Sequence, residues 1–199
     1  MILYVETNFV MSIATGRDSQ ANTLLSNTPE SVHIVMPSIC FMEALSALEV
    51  DIKSRRRFHN ELEIRSGDAQ RNLTSQHAQS LLSQLQQAQT ENDLLLREVQ
   101  ASLFAALDQL ATKAERIELT TEMIQASLEI SNIDEPTDRL ILHCILNHAR
   151  LHLTEVKVFL SGNSKDFGKL EVQQALQDVG INQYFSNTQT FLNWLRYKS

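Results

Sequence analysis

The sequence Met1-Ile2-Leu3-Tyr4-Val5-Glu6-Thr7-Asn8 decides the fold of this chain, because an apolar run stops there at an acid. Residues 2–5 show no polar alternation, so they predict a strand that is buried on both faces, as in a parallel sheet. Glu6 then lies at the carboxyl end of the strand, the edge at which α/β sheets bind ligands. A plainer interpretation stays open, in which Glu6 only ends the strand in solvent or caps the next helix.

The composition favours one folded domain. Of the 199 residues, 43% are hydrophobic and 21% are charged, which argues against a disordered chain. The net charge of −7 excludes a globally basic nucleic-acid binder but leaves room for a local basic groove. A cluster of acids that holds a metal would also contribute to this negative charge.

The cysteines, the histidines and the apolar runs restrict the location and the kind of metal. Cys40 and Cys144 lie in apolar helical contexts, so we expect reduced core residues in a cytoplasmic protein. His143 and His148 are five residues apart rather than four, so we find no histidine or cysteine pattern for zinc. No apolar run reaches the ~18 residues of a membrane span, and no signal peptide precedes the first strand, so no membrane partner is predicted.

Predicted strands and helices alternate along most of the chain. Further strands are predicted at 32–36, 156–160 and 182–185. Helices are predicted at 9–14, 21–25, from 39 onwards, at 121–130, from 136 onwards, at 168–179 and at 188–197. We expect Thr7 or Asn8 to cap the first of these helices. The order predicts an α/β fold, a parallel sheet with helices on both faces.

The segment 53–116 differs from its surroundings. Gln, Ser, Glu, Arg and Leu dominate it, no strand-like run appears, and its apolar residues recur every three, four or seven positions. A turn at Ser66-Gly67-Asp68 and a fresh helix capped by Thr90 predict a helical hairpin. We interpret 53–116 as an insertion in, or extension of, a single domain of residues 1–199.

Four acids stand out by their positions. Glu6 and Asp166 lie at or just beyond the ends of strands, and Glu43 and Asp138 lie in the first turns of helices that begin near the same edge. If strand order brings them together, four carboxylates repel one another. A hard divalent cation, Mg²⁺ or Mn²⁺, would relieve that repulsion and suits phosphate chemistry.

Four segments together resemble the PIN domain, a family that includes VapC-type toxins and other small ribonucleases. They are Tyr4-Val5-Glu6-Thr7-Asn8, Pro37-Ser38 with Glu43, Asp138-Arg139-Leu140-Ile141-Leu142, and Ser161-Gly162-Asn163-Ser164-Lys165-Asp166-Phe167. The resemblance covers roughly 1–50 and 120–199. It implies a three-layer α/β/α fold with a central parallel sheet, here interrupted by the long helical hairpin. The first acid of the family is usually Asp, whereas this chain has Glu6.

The resemblance also implies a metal-dependent endoribonuclease acting on single-stranded RNA. Its catalytic residues and Mg²⁺ or Mn²⁺ ligands would be Glu6, Glu43, Asp138 and Asp166, in a site shaped by Thr7, Asn8, Ser161 and Asn163. Basic residues that could hold the nucleic-acid backbone, or could simply be solvated surface charges, are Arg17, Arg55, Arg56, Arg57, Arg139 and Lys165.

The biology that the resemblance implies is a toxin neutralised by an antitoxin protein, and a homodimer. An alternative stays open, in which the chain is a catalytically weak PIN-like interaction module that acts through its helical insert. In a third interpretation, the acids at the strand ends are coincidental.

Overall fold

The centre of the fold is a sheet of parallel strands. The structure is a computed structural model that describes residues 1–129 and 133–198. The strands are β1 (Ile2–Val5), β2 (His33–Pro37), β3 (Glu115–Ile117), β4 (Lys157–Leu160) and β5 (Ile181–Phe185). They pair in the order β3-β2-β1-β4-β5, all parallel. The predicted α/β class with a parallel sheet is therefore confirmed.

Helices alternate with these strands along the chain. They are α1 (Thr7–Ala14), α2 (Ser19–Ser26), α3 (Ile39–Gln70), α4 (Gln76–Lys113), α5 (Thr121–Glu129), α6 (Pro136–Leu151), α7 (Ser164–Phe167), α8 (Leu170–Asp178) and α9 (Thr188–Lys198). Ile130, the predicted end of the fifth helix, lies outside the described residues. Within the described ranges, no helix combines the length and the apolar character needed to cross a membrane.

The first strand is the core of the sheet. β1 pairs with β2 on one side and with β4 on the other, and all four of its residues are buried. Leu3 pairs in register with Ile34 and with Val158, and none of the three is more than 2% exposed. Burying each such side chain contributes roughly 1.5–3 kcal/mol, which is why this run carries no polar alternation.

The chain divides into two compact units. The first consists of Met1–Ala44 with Leu103–Ser199 and contains the sheet, and the second is Leu45–Ser102. The second unit is a helical hairpin of parts of α3 and α4. Inside it, the Arg55 Nη1 donates to the Asn92 Oδ1 at 3.4 Å, and His59 Nδ1 lies 3.2 Å from Asp93 Oδ1.

Three local predictions in the middle of the chain are wrong. Gly67 lies inside α3, which continues to Gln70, so the turn falls later than predicted. Thr90 lies inside α4, and its hydroxyl donates to the Gln86 carbonyl at 3.1 Å instead of starting a new helix. The sequence predicts no strand at the end of the segment 53–116, yet β3 begins at Glu115. Its three residues are too few for strand periodicity to be visible.

Candidate active site

The four predicted acids lie at the carboxyl-terminal edge of the sheet, in the first unit. Glu6 directly follows β1, and Asp166 lies in α7, just after β4. Glu43 is one turn into α3, and Asp138 is in the first turn of α6. Glu6, Asp138 and Asp166 are buried, with 1%, 8% and 6% of their surfaces exposed, while Glu43 is half-buried. We call these four residues the acidic quartet.

Glu6 is the N-cap of α1. Its Oε2 accepts a hydrogen bond from the Asn8 backbone N–H at 2.7 Å, so the expectation that Thr7 or Asn8 would cap this helix is wrong. Its Oε1 is buried and has no hydrogen bond of ordinary geometry from the described residues, although the nearby Ser161 hydroxyl favours the ionised form. The cap therefore uses one oxygen and leaves the other for a ligand.

The side chain of Asn163 joins two of the acids. Its Nδ2 donates to Asp138 Oδ2 at 2.8 Å and to Asp166 Oδ2 at 3.2 Å. Its Oδ1 caps α7 by accepting from the Asp166 backbone N–H at 3.3 Å. Its own backbone N–H donates to the Ser161 Oγ at 3.1 Å. Asn163 thus fixes the separation of Asp138 from Asp166.

The fourth acid is held by a threonine. The Thr7 hydroxyl donates to Glu43 Oε2. Of the two residues expected to shape the site beside Glu6, Thr7 thus positions Glu43, and the backbone of Asn8 positions Glu6. Because Thr7 is buried, this contact is shielded from solvent.

The negative charges of the quartet act on one another. Burial chiefly, and then the charges of Asp138 and Glu43, raise the pKa of Glu6 to about 7. Burial and then Glu43, Asp166 and other acids raise the pKa of Asp138 to about 6. Within the described chain, no three quartet carboxylates have oxygens that all lie within 4.8 Å of one another. The carboxylates therefore interact electrostatically, but their oxygens are not yet close enough together for three of them to bind one ion.

Lys169 is a member of the site that sequence reasoning missed. Its Nζ lies 3.2 Å from Asp166 Oδ1 and 3.6 Å from Asp134 Oδ2. Asp166 Oδ1 has no further hydrogen-bond partner of ordinary geometry among the described residues. Lys169 follows α7 and is the N-cap residue of α8, with extended backbone, so no helical spacing in the sequence pointed to its contact with Asp166.

A cleft lies next to residues that follow Glu6 and β4 in the chain, although none of the four acids lines it. It has a volume of about 380 Å³, and Asn8, Arg17 and Gly162 contribute to its lining. Of the other predicted basic contacts, Lys165 is exposed in α7 and Arg139 is half-buried in α6. The remaining three are in the second unit, and Arg55 there bonds Asp51 at 2.8 Å.

The family model of the PIN domain matches residues 3–167, most of the chain and all four acids. This chain belongs to the PIN-domain family. PIN domains are generally nucleases, so membership indicates a nuclease-type hydrolase, and PIN nucleases typically use divalent metals. No curated protein matches the chain. No solved structure matches it either.

The donor atoms of this PIN domain fit a hard divalent cation. The quartet offers carboxylate oxygens and contains none of the sulfur and nitrogen donors that favour softer metals. The buried Glu6 Oε1, which has no hydrogen bond of ordinary geometry, and the raised pKa values of Glu6 and Asp138 indicate negative charge that protein donors do not fully compensate. A cation would compensate it.

The sequence does contain a pair of histidines at the spacing of a metal site, contrary to the expectation, and it lies away from the acidic quartet. His148 and His152 are four residues apart, and one ligand atom from each lies within 4.8 Å of the other and of a Glu115 carboxylate oxygen. The sequence comparison of His143 with His148 overlooked this pair. Glu115 is far from it along the chain, in the strand that sequence reasoning did not find.

Proposed function

We propose that this PIN domain is a metal-dependent endoribonuclease that hydrolyses phosphodiester bonds of single-stranded RNA. Glu6, Glu43, Asp138 and Asp166 would hold Mg²⁺ or Mn²⁺. The observation that carries the proposal is the Glu6 Oε1, which is buried without a hydrogen bond of ordinary geometry in the field of two further acids. Most buried side-chain oxygens have a well-aligned hydrogen-bond donor, so a buried carboxylate oxygen that lacks one favours a ligand at this place.

Other side chains would orient the carboxylates and accept a proton during hydrolysis. Asn163 and Thr7 orient the carboxylates of Asp138 and Glu43. We assign Asp138 Oδ1 to accept a proton from the attacking water. Asn163 bonds the other oxygen of Asp138, and the alternative acceptor, Asp166 Oδ1, is paired with Lys169. A bound divalent cation supplies Lewis-acid stabilisation of the charge that develops on the phosphoryl group.

RNA would enter through the cleft beside Glu6. Arg17 is the cation that lines this cleft, and the side-chain amides of Asn8 and Asn187 line it as well. Phosphate contacts of this kind position a backbone without reading its sequence. Single-stranded RNA, rather than DNA, is our choice on the resemblance to VapC-type and other small ribonucleases.

We extend the proposal to a cytoplasmic homodimeric toxin whose activity an antitoxin protein restrains. This part rests on the same resemblance. Growth arrest on expression, relieved by Asp138→Asn, is its expected sign, whereas equal growth with both forms would contradict it.

The nuclease test compares acid variants with a matched control. We expect Glu6→Gln and Asp138→Asn each to lower Mg²⁺- or Mn²⁺-dependent cleavage of labelled single-stranded RNA about a hundredfold or more, since positioned acid–base groups contribute at least that much. Glu171→Gln removes an exposed acid of α8 and should cleave normally.

Chelation with EDTA should abolish cleavage by the parent protein and by Glu171→Gln. Cleavage that survives chelation, or that is equal in all four proteins, would overturn the proposal and indicate a contaminating nuclease.

The second candidate function is an interaction module. It is favoured by the large apolar side chains that the second unit exposes, which are Leu45, Val50, Phe58, Ile64, Leu73, Leu81, Leu94 and Leu95. Self-association that persists in Asp138→Asn, with no cleavage by the parent protein, would favour this function over the nuclease.

A further inference from the structure

A second group of metal-binding side chains lies at the other edge of the sheet. Glu115 is the first residue of β3, and His148 and His152 lie at the end of α6, shortly before β4 begins. Because all strands are parallel, their beginnings share one edge, opposite the edge of the acidic quartet. We call Glu115, His148 and His152 the His–Glu cluster.

The donor atoms of this cluster are already close. His148 Nε2 lies 3.1 Å from Glu115 Oε1, and a ligand atom of His152 lies within 4.8 Å of both residues' ligand atoms. His148 is buried, while Glu115 and His152 are half-buried. The group is thus anchored in the fold on one side and open to an entering ion on the other.

Each histidine is oriented through its second ring nitrogen. The Tyr4 hydroxyl lies 2.9 Å from His148 Nδ1, and the Glu155 Oε2 lies 2.7 Å from His152 Nδ1. Both rings therefore have Nε2 left for a ligand. Ligating histidines in metal sites are characteristically held in this way, by a polar partner on the nitrogen that does not bind the metal.

The carboxylate is oriented as well. His33 Nε2 lies 2.7 Å from Glu115 Oε2, so the other carboxylate oxygen, Oε1, is the one that faces His148. One ligand atom in each of the three residues is thus directed to the cluster by an outer partner. These partners come from different elements, since His33 begins β2 and Tyr4 lies in β1.

We propose that the His–Glu cluster is a Zn²⁺ site, with Glu115 Oε1 and the Nε2 atoms of His148 and His152 as ligands and water in the remaining position. Two imidazoles and one carboxylate form a donor set that zinc uses in proteins, whereas Mg²⁺ prefers oxygen ligands only. The ion would join the end of α6 to the three-residue strand β3. This proposal does not rest on the proposed nuclease function.

Binding requires a small rearrangement. The rings of His148 and His152 are stacked, with centroids 4.3 Å apart and planes 20° from parallel, so their in-plane lone pairs do not converge. His152 is the C-cap of α6, and its side chain is 31% exposed, so its ring has room to turn about its contact with Glu155. Zinc ligation by the His148 Nε2 uses the tautomer that carries its proton on Nδ1, where it donates to the Tyr4 oxygen.

The test is zinc binding by the metal-stripped full chain. Zn²⁺ is titrated in competition with a chromophoric chelator, with excess Mg²⁺ present to fill the acidic quartet. We expect one zinc ion per chain, and binding at least about tenfold weaker in His152→Asn and in Glu115→Gln. Glu155→Gln, which removes only the outer partner of His152, should weaken binding about tenfold. His77→Gln removes an exposed imidazole elsewhere and should bind as the parent does.

Co²⁺ in place of Zn²⁺ gives a second readout, because Co²⁺ bound by four ligands absorbs visible light much more strongly than hexaaquo Co²⁺ does. Circular dichroism checks that each variant is folded. If His152→Asn unfolds, Glu155→Gln decides the result. No zinc uptake by the parent protein, or equal uptake by all cluster variants, would overturn the site and leave a metal-free polar network.

The quartet variant Asp138→Asn separates the two proposals. It should lose RNA cleavage and keep zinc binding, and His152→Asn should do the reverse. Loss of zinc binding in Asp138→Asn alone would place the zinc in the acidic quartet and contradict the His–Glu site.

Discussion

Glu6 combines two functions that sequence reasoning treats as alternatives. One carboxylate oxygen caps α1, and the other is buried without a hydrogen bond of ordinary geometry at the edge where Asp138 and Glu43 also lie. A single residue thereby places the first turn of α1 and one candidate metal ligand together.

The stability of the metal-free protein should fall as pH rises, because of Glu6. Its pKa rises from 4.5 to about 7 on folding, so the folded state holds this proton more tightly than the unfolded state does. The stabilisation is complete below the unfolded pKa and is lost as pH rises through about 7, a loss of roughly 3 kcal/mol. Urea unfolding in EDTA across this range measures it.

In Glu6→Gln this part of the pH dependence should disappear, and in Glu171→Gln it should remain. Saturating Mg²⁺ should restore the stability of the parent protein at the alkaline end, because a bound cation favours the ionised carboxylate. An unchanged slope in Glu6→Gln would show that this carboxyl group does not titrate in the assigned range.

How much of the site the sequence predicts depends on the range of each contact. Glu6 and Asp166 were predictable because each follows a strand, a pattern visible within a few residues. The bond from Asn163 to Asp138 joins residues 25 positions apart, and no local pattern contains it. Residue types at strand ends therefore predict where a site lies, and only the fold determines which side chains hold it.

At the scale of elements, the first residue of β4 binds the C-terminal ends of α6 and α8. Lys157 is buried, and its Nζ donates to the Ala149 carbonyl at 2.9 Å and to the Val179 carbonyl at 2.7 Å. These carbonyls belong to the last turn of α6 and to the C-cap of α8, where the helix dipole favours a cation. The adjoining Gly180 has φ of +83°, and a Cβ there would lie 3.1 Å from the Lys157 Nζ.

Lys157→Met should destabilise the protein by about 3 kcal/mol, because it leaves buried carbonyl groups without a charged donor. The free energy of unfolding in urea measures this loss. Lys165→Met, which removes an exposed lysine of α7, should change it by less than about 0.5 kcal/mol. Equal stability of the two variants would show that Lys157 carries no such role.

Element length decided which elements could be predicted. Strands such as β1 and β4 present unbroken apolar runs, and α6 presents an apolar face over 16 residues. β3 has three residues, of which only Ile117 is buried, so its sequence does not differ from that of a loop. Because Glu115 lies in β3, the His–Glu cluster could not be predicted without it.

At the scale of the whole molecule, the two units differ in how much apolar surface they bury. The sheet-containing unit has a continuous core, whereas the fully buried apolar residues of the second unit are, among those described, Leu48, Leu62, Ala69 and Val99. Stability is lowest where few apolar contacts are buried. The helical hairpin should therefore open more readily than the sheet.

Hydrogen exchange monitored by mass spectrometry should detect this difference. Peptides from residues 50–98 should exchange at least about tenfold faster than peptides that contain β1 or β4, because local opening there breaks fewer buried contacts. Protection of the hairpin that increases with protein concentration would indicate a homodimer that forms through it. Equal exchange in both units would contradict a difference in stability.

The strand order β3-β2-β1-β4-β5 affects the chain while it is being synthesised. β1, β2 and β3 can pair once the first 117 residues are available, but β4 has to join the other side of β1 before Asp166 reaches Glu6. A nascent chain on a ribosome thus carries Glu6 and Glu43 long before the acids that complete the quartet. The quartet is complete only after Asp166 has emerged, and the cleft only after Asn187, so a partly made chain has no complete acidic centre beside the messenger RNA that encodes it.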